Sequence, residues 1–587
     1  MTGGDTDTEL PTYSPKPANM TGATAATPNP QFSRKRAMRI TDLTVDVPSG
    51  EKPLTSSNKD VPVPSRWSTL EFKFYYFVVG TVLPVMIWIP IALSSSSHPN
   101  YGHYAHRLRD GWMFGRKFDN SDIQYRSFRG NLIPLALASL LMMGFKAGLK
   151  RIRGATTNGF MPLIPYNVAF SILAIIALHG TSTLKLLGIL SINFLIAKHS
   201  GSSKLGPILT WIFCGIVLFS SELYHGYSFG SILPSLRFLD SYPGIYPRWH
   251  IIFNITMLRL VSFNTDYYWA LQHKERAQPS DEAYPNEKQR QDISHPYALY
   301  SFLNYLAYAL YPPLYIAGPI MTFNDFMWQH RRPIKFQPGS TLKYLFRFII
   351  CFLTMEFILH FMYVVAIKEE KAWQGATPAQ ISMVGFWNLI VVWLKLLIPW
   401  RFFRLWAMMD GILAPENMIR CMANNYSVSG FWRSWHRSYN LWLIRYIYVP
   451  LGGSKNVIFN TLLVFSFVAL WHDLQFRLLA WGWLISVFII PELLAAHLLP
   501  KSKFGKKSWY RHVCAVGAVF NILMLMAANL VGFVVGADGI NFLLSQLFGT
   551  AVGVAFLLFS CFCIFVTVQI MFEYREEELR HGIYRRC

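Results

Sequence analysis

The sequence predicts an all-α, polytopic transmembrane helical bundle of about ten to thirteen spans, and three observations carry that prediction. Of the 587 residues, 52% are hydrophobic and only 15% are charged, whereas an ordinary soluble domain carries roughly 25% charged residues. The apolar residues gather in repeated runs of about 17–25, the length a helix needs to cross a hydrocarbon core about 30 Å thick. The basic residues stand in short clusters between those runs, as in Lys146–Arg153, Arg331–Lys335 and Lys501–Lys507.

The net charge of +22 therefore describes loops that meet anionic lipid or a polyanionic cosubstrate. Such interrupted clusters suit the positive-inside bias of membrane proteins and argue against a nucleic-acid partner. The seven cysteines show neither a disulfide framework nor metal-ligand spacing. Cys214, Cys351, Cys514, Cys561 and Cys563 lie in apolar stretches, where a thiol behaves as a small hydrophobe.

Taken in order, residues 1–66 are rich in Thr, Pro, Ser, Gly and Asn and predict a disordered polar arm. No apolar stretch follows Met1, so the run from Phe72 to Leu93 is expected to act as an uncleaved signal-anchor. Asn19-Met-Thr21 is a glycosylation sequon, usable only if the arm is lumenal. From Tyr101 to Arg129 a basic, aromatic connection predicts an amphipathic element on the membrane surface. Further spans are expected near 131–149, 161–179, 184–198, 205–224, 248–263, 298–321, 342–366, 381–399, 457–475, 478–498, 511–536 and 541–571. Breaks such as Pro312-Pro313 and Pro399 mark some of them as tilted or re-entrant. Residues 67–587 thus form one multispan domain, interrupted by polar loops at 272–296 and 368–380.

Polar residues inside a membrane are expensive and become functional candidates by default. One such place is Phe431-Trp-Arg-Ser-Trp-His436, continuing through Asn440 and Arg445 to Gly452-Gly453. On one continuous helix Arg433, His436 and Asn440 would share a polar stripe beside the aromatic stripe of Trp432, Trp435, Tyr439 and Trp442. Such a helix lines a wet cavity, or else lies at the interface on its aromatic belt. The second place is Trp471-His472-Asp473, at the end of a strongly apolar run. A histidine there is either a hydrogen-bonded core residue or a proton acceptor. Asp473, adjacent in sequence, would point about 100° away on a helix and is expected to end it.

These segments together are recognisable. Phe431–His436, the following Trp-Leu-Ile-Arg-Tyr-Ile-Tyr-Val-Pro-Leu-Gly-Gly453, Trp471-His472, Tyr311–Pro319 and Ala414-Pro-Glu-Asn417 resemble the membrane-bound O-acyltransferase family over residues 260–500, the expected catalytic core. Met257–Trp269 and Val468–Leu474 look like its fungal glycerol-uptake-protein branch, which is related to the hedgehog acyltransferases. The resemblance implies a tunnel through the bundle, entered by long-chain acyl-CoA from the cytosol and by an acceptor hydroxyl from the other side. It implies His472 as the catalytic histidine and His436 as the second catalytic residue. Relatives vary there among His, Asn and Asp, which keeps Asn440 as a rival.

Arg433, Trp435, Tyr439, Asn440 and Trp471, with Arg437 and Arg445, make up the expected substrate-binding or orienting set. The three arginines are candidates for the donor's phosphates or for lipid headgroups. No metal and no cofactor beyond acyl-CoA as cosubstrate is expected. The branch points to a lyso-glycosylphosphatidylinositol (lyso-GPI) acceptor, remodelled in the endoplasmic reticulum membrane. A protein acceptor ranks second, and a glycerol transporter is the competing class.

Overall fold

An apolar run in lipid finds no water for its backbone, so it closes its hydrogen bonds internally as a helix. A computed structural model describes residues 64–153, 159–272, 285–534, 536–583 and 585, and helices dominate it. Among the described residues, nine helices are long and apolar enough to cross a membrane. They are Leu70–Leu93, Leu132–Ile152, Met161–His179, Leu205–Leu223, Pro378–Met409, Gly453–His472, Phe476–Leu498, Tyr510–Val534 and Ala551–Arg580. Large apolar side chains on them, including Leu70, Phe77, Trp88 and Ile133, face outward. So much contiguous apolar surface requires lipid as its solvent, and the protein is a multi-pass integral membrane protein.

Four expected spans take other forms. Residues 298–321 make no crossing: Phe302–Ala309 and Pro312–Tyr315 are separate short helices, because Pro312 and Pro313 interrupt the ladder. Trp249–Gln272, Ser182–Ser200 and Ser340–Phe361 are helices of crossing length but fall outside the apolar set. The first of these is buried on nearly every side, so protein rather than lipid surrounds it. The connection 101–129 is not one surface helix. It folds as a small antiparallel hairpin, Leu108–Asp110 with Lys117–Asp119, followed by the helix Ile123–Gly130. Glu356, fully buried, gathers it by accepting hydrogen bonds from Arg129 at 2.8 and 2.9 Å, Tyr125 at 2.9 Å and Trp112 at 2.8 Å.

The predicted polar arm and its sequon lie outside the described residues, apart from Pro64–Arg66. The Arg66 amide donates to Glu573 at 2.9 Å, which ties the end of the arm to the last long helix. Residues 273–284 of the polar loop 272–296 likewise lie outside the described residues.

Two elements position everything that follows. Trp249–Gln272 is the central post. The helices Val457–His472 and Phe476–Leu498 form a tight antiparallel pair at its side. Gly482 makes that approach possible: a Cβ there would sit 2.8 Å from the Phe465 carbonyl oxygen.

Candidate active site

The Phe431–Gly453 segment is not one helix. Val428–Ser434 ends, Trp435 is extended, and His436 takes a left-handed conformation at φ 44°, ψ 48° before a second helix, Arg437–Leu443, begins. The expected single stripe through Arg433, His436 and Asn440 is therefore corrected. A turn at His436 re-aims the side chain, as strained positions at functional sites often do. The second helix then passes into a π-helical turn, Ile444–Tyr448, a form common at such sites.

Because His436 makes no side-chain cap, the orphan amides that open the second helix need other acceptors. Asn417 supplies two. Its carbonyl accepts from Arg437 N at 3.0 Å and its side-chain oxygen from Ser438 N at 3.2 Å. The Ala414–Asn417 stretch thus acts as a cap supplied from elsewhere in the chain.

The post helix grips the segment along one ridge, at every fourth residue. Asn254 Nδ2 donates to the Trp471 carbonyl at 3.0 Å, and Trp471 Nε1 returns a bond to the Asn254 carbonyl at 2.8 Å. The Leu258 carbonyl accepts from Trp442 Nε1 at 2.9 Å. Ser262 Oγ bonds Tyr446 Oη at 2.8 Å, and Asp266 accepts from the same hydroxyl at 2.9 Å. These ties fix both histidine-bearing segments to one rigid element.

The histidines meet through aromatic rings. The expected break at Pro399 is corrected, because the helix Pro378–Met409 runs through it; Trp400, the next residue, stacks on His436 with centroids 4.4 Å apart. His436 lies 5.1 Å from Tyr439, Tyr439 is 4.5 Å from Trp471, and Trp471 is 4.8 Å from His472. All five line one large cavity of about 3070 Å³, as do Arg433, Trp435 and Asn440. His472 has exposed surface and His436 and Asn440 are half-buried, but the surface they show belongs to this cavity.

Hydrogen bonding separates these two histidines from four buried ones, though not from His250, whose Nδ1 is also without a partner. His179, His295, His330 and His360 are buried and each bonds a backbone carbonyl, at 2.6 to 3.0 Å. Each is a core residue with one ring nitrogen tied to the backbone. Neither imidazole of His436 and His472 bonds any described residue, and the Tyr439 hydroxyl is buried without a partner. Polar groups left open onto an apolar cavity are what a substrate pocket presents. Asp473 ends the His472 helix and accepts from Gln475 at 2.6 Å.

Arg437 and Arg445 go elsewhere. Arg437 pairs with Glu287 at 3.1 Å, and Arg445 pairs with Asp266 at 3.1 Å and with Asp292. Neither is among the cavity-lining residues. Their charges clamp the short helix Glu287–Asp292 over the outer side of the segment, where Arg290 also binds buried Asp325 at 2.6 Å. Sequence reasoning missed Trp400 and Asn254 as site-building residues, and marked Asn417 only as part of the Ala414–Asn417 stretch. The one available signal was the spacing of polar Asn254, Ser262 and Asp266 by multiples of four within an apolar run.

A polytopic bundle whose large, mainly apolar cavity presents two open imidazoles defines a class, the integral-membrane enzymes. The family is set by comparison: the model of the membrane-bound O-acyltransferase family matches residues 240–536, and the chain belongs to that family. It is 47% identical over 555 residues to the membrane-bound O-acyltransferase GUP1 of Saccharomyces cerevisiae, covering 92% of this chain and 96% of that protein. It is 48% identical over 538 residues to the GUP1 of Candida tropicalis, covering 89% and 90%. A more distant likeness, 27% over 257 residues, links it to the mouse protein-cysteine N-palmitoyltransferase HHAT, covering 40% of this chain and 50% of that one. The protein is an acyltransferase.

Proposed function

We propose that the enzyme moves a long-chain fatty acyl group from acyl-CoA to a lipid hydroxyl, that the acceptor is a lyso-GPI anchor, and that the reaction occurs in the endoplasmic reticulum membrane. The observation that carries the reading is the cavity of about 3070 Å³, several times the roughly 300–1,000 Å³ of a small-molecule pocket. Its walls are mainly apolar, and burying an acyl chain in them contributes about 0.8 kcal/mol per CH₂. A smaller cavity of about 270 Å³ shares Asn425, Ser429 and Arg433 with the large one and is also lined by Arg575, Arg585 and Glu578, the last two paired at 3.2 Å. Guanidinium groups around a polar pocket suit a phosphate-bearing donor.

In the proposed reaction the acceptor hydroxyl oxygen attacks the thioester carbonyl. His472 takes the hydroxyl proton as the C–O bond forms. The C–S bond then breaks, and His472 returns the proton to the departing thiolate. His436 donates a hydrogen bond to the developing oxyanion, and Trp400, stacked on its ring, holds the imidazole in plane. Both partners react directly, with no acyl-enzyme between them.

Alanine at His436 is expected to lower kcat by about 10²–10³-fold, the usual loss for one oxyanion donor. Alanine at Asn440 is expected to act chiefly on KM for the acceptor. Steady-state kinetics on both purified variants checks the assignment, and the reverse pattern would exchange the two roles. The acceptor is tested by mass spectrometry of anchor lipids in cells lacking the protein. Accumulated lyso-anchors, with the acyl-exchanged species missing, are expected. An unchanged anchor composition would move the acceptor to a protein.

A further inference from the structure

The helix Phe476–Leu498 is apolar enough to cross a membrane, yet it carries a carboxylate, Glu492, directly after Pro491. A charge in such a helix is costly and calls for a reason. Among the described residues Glu492 has no ion-pair partner, and hydrogen-bond donors alone meet its charge. Oε1 accepts from Ser427 Oγ at 2.7 Å and from Ser429 Oγ at 2.5 Å. Oε2 accepts from the Val428 amide at 2.7 Å and from Asn521 Nδ2 at 3.4 Å. Ser427 in turn caps the helix Val428–Ser434 by accepting from Gly430 N at 2.9 Å.

That short helix leads directly to Trp435 and the turn at His436. The helix that carries Glu492 begins just past Asp473, where the His472 helix stops. Trp481 on it also packs edge-on against Trp432, with centroids 5.6 Å apart. One rigid helix therefore follows one candidate histidine and grips the root of the other. We infer that Glu492 is a positioning residue of the acyltransferase site, setting where His436 stands relative to His472.

This inference rests on the proposed roles of the two histidines. A misplacement of about 1 Å can cost about 10²-fold in rate, so Glu492→Ala is expected to lower kcat by about that factor. KM for the acyl donor and the melting temperature of the purified full-length enzyme should stay near the wild-type values. Glu492→Gln keeps one acceptor oxygen for the two serines but turns an NH₂ toward the Val428 amide, so its loss should be intermediate. Ser429→Ala removes one donor without uncovering the charge, and it should give a smaller loss of the same kind even if Glu492→Ala folds poorly.

The deciding measurement is Glu492→Ala in a His436→Ala background, where a residue acting through His436 causes no further loss. An equal fold-loss in both backgrounds, or wild-type kcat in all three single variants at positions 492 and 429, overturns the inference. The two levels separate cleanly. Wild-type turnover in His436→Ala removes the histidine assignment beneath the inference, whereas a crippled His436→Ala beside an unaffected Glu492→Ala removes the inference alone.

Discussion

Alanine in place of His472 is expected to lower kcat for acyl transfer by about 10²–10⁴-fold, the worth of a general base, while the protein still folds. The His472 ring bonds no described residue and opens onto the cavity, so its loss breaks no hydrogen bond within the fold. The helix end is held instead by the reciprocal bonds between Asn254 and Trp471, which the substitution leaves in place. Turnover of a long-chain acyl-CoA by purified enzyme, read beside its melting curve, checks both halves. Full activity in the variant would sink the assignment of His472. A collapse of folding would instead give the ring a packing role through its contact with Trp471.

The second large effect is on stability. Asp266 is fully buried and accepts from Arg445 at 3.1 Å, from Tyr446 at 2.9 Å and from the Asn324 amide at 3.3 Å. Removing one member of a buried ion pair typically costs about 3–5 kcal/mol, because the partner charge is left uncompensated. Asp292 also contacts Arg445 from the more exposed side, which places Asp266→Ala at the lower end, about 3 kcal/mol. Thermal unfolding in detergent should show the loss, with less folded protein recovered. Asp292→Ala, whose own carboxylate side chain stands half in solvent, should cost under about 1 kcal/mol, like other surface pairs. Equal effects of the two would mean that Asp266 is not the partner that matters.

The class of fold was legible because hydropathy records which solvent a helix meets. It fails where a helix meets protein instead. Trp249–Gln272 contains Asn254, Arg259, Ser262, Asn264 and Asp266, and a hydropathy scale cannot distinguish such a post from a poor span. The residues 298–321 show the converse error. They are apolar enough to suggest a crossing, yet Pro312 and Pro313 divide them, and their interior position satisfies that composition as well as lipid would.

Site legibility followed the same divide. Trp435, Tyr439, Asn440 and Trp471 gather with the two histidines at the cavity because they are local to two segments. Arg437 and Arg445 could not be placed from sequence, since their carboxylate partners Glu287 and Asp266 lie far off in the chain. Trp400 was invisible for the same reason, with its contact to His436 made only by tertiary folding. The break at His436 was hidden as well. Every residue around it tolerates a helix, and no Gly or Pro announces the turn.

That left-handed turn limits what the chain can carry at position 436. A branched or bulky residue at φ 44° is a genuine outlier, whereas Asn, Asp and His enter this region several-fold more readily than other non-glycine residues. The backbone therefore filters the alphabet before chemistry does. It admits the few side chains that both endure the turn and present a hydrogen-bonding group to the cavity. Exchange among those three would leave the scaffold intact and alter only the proton inventory of the pocket. One protein architecture can in this way host several versions of the same polar position without any repacking of the bundle.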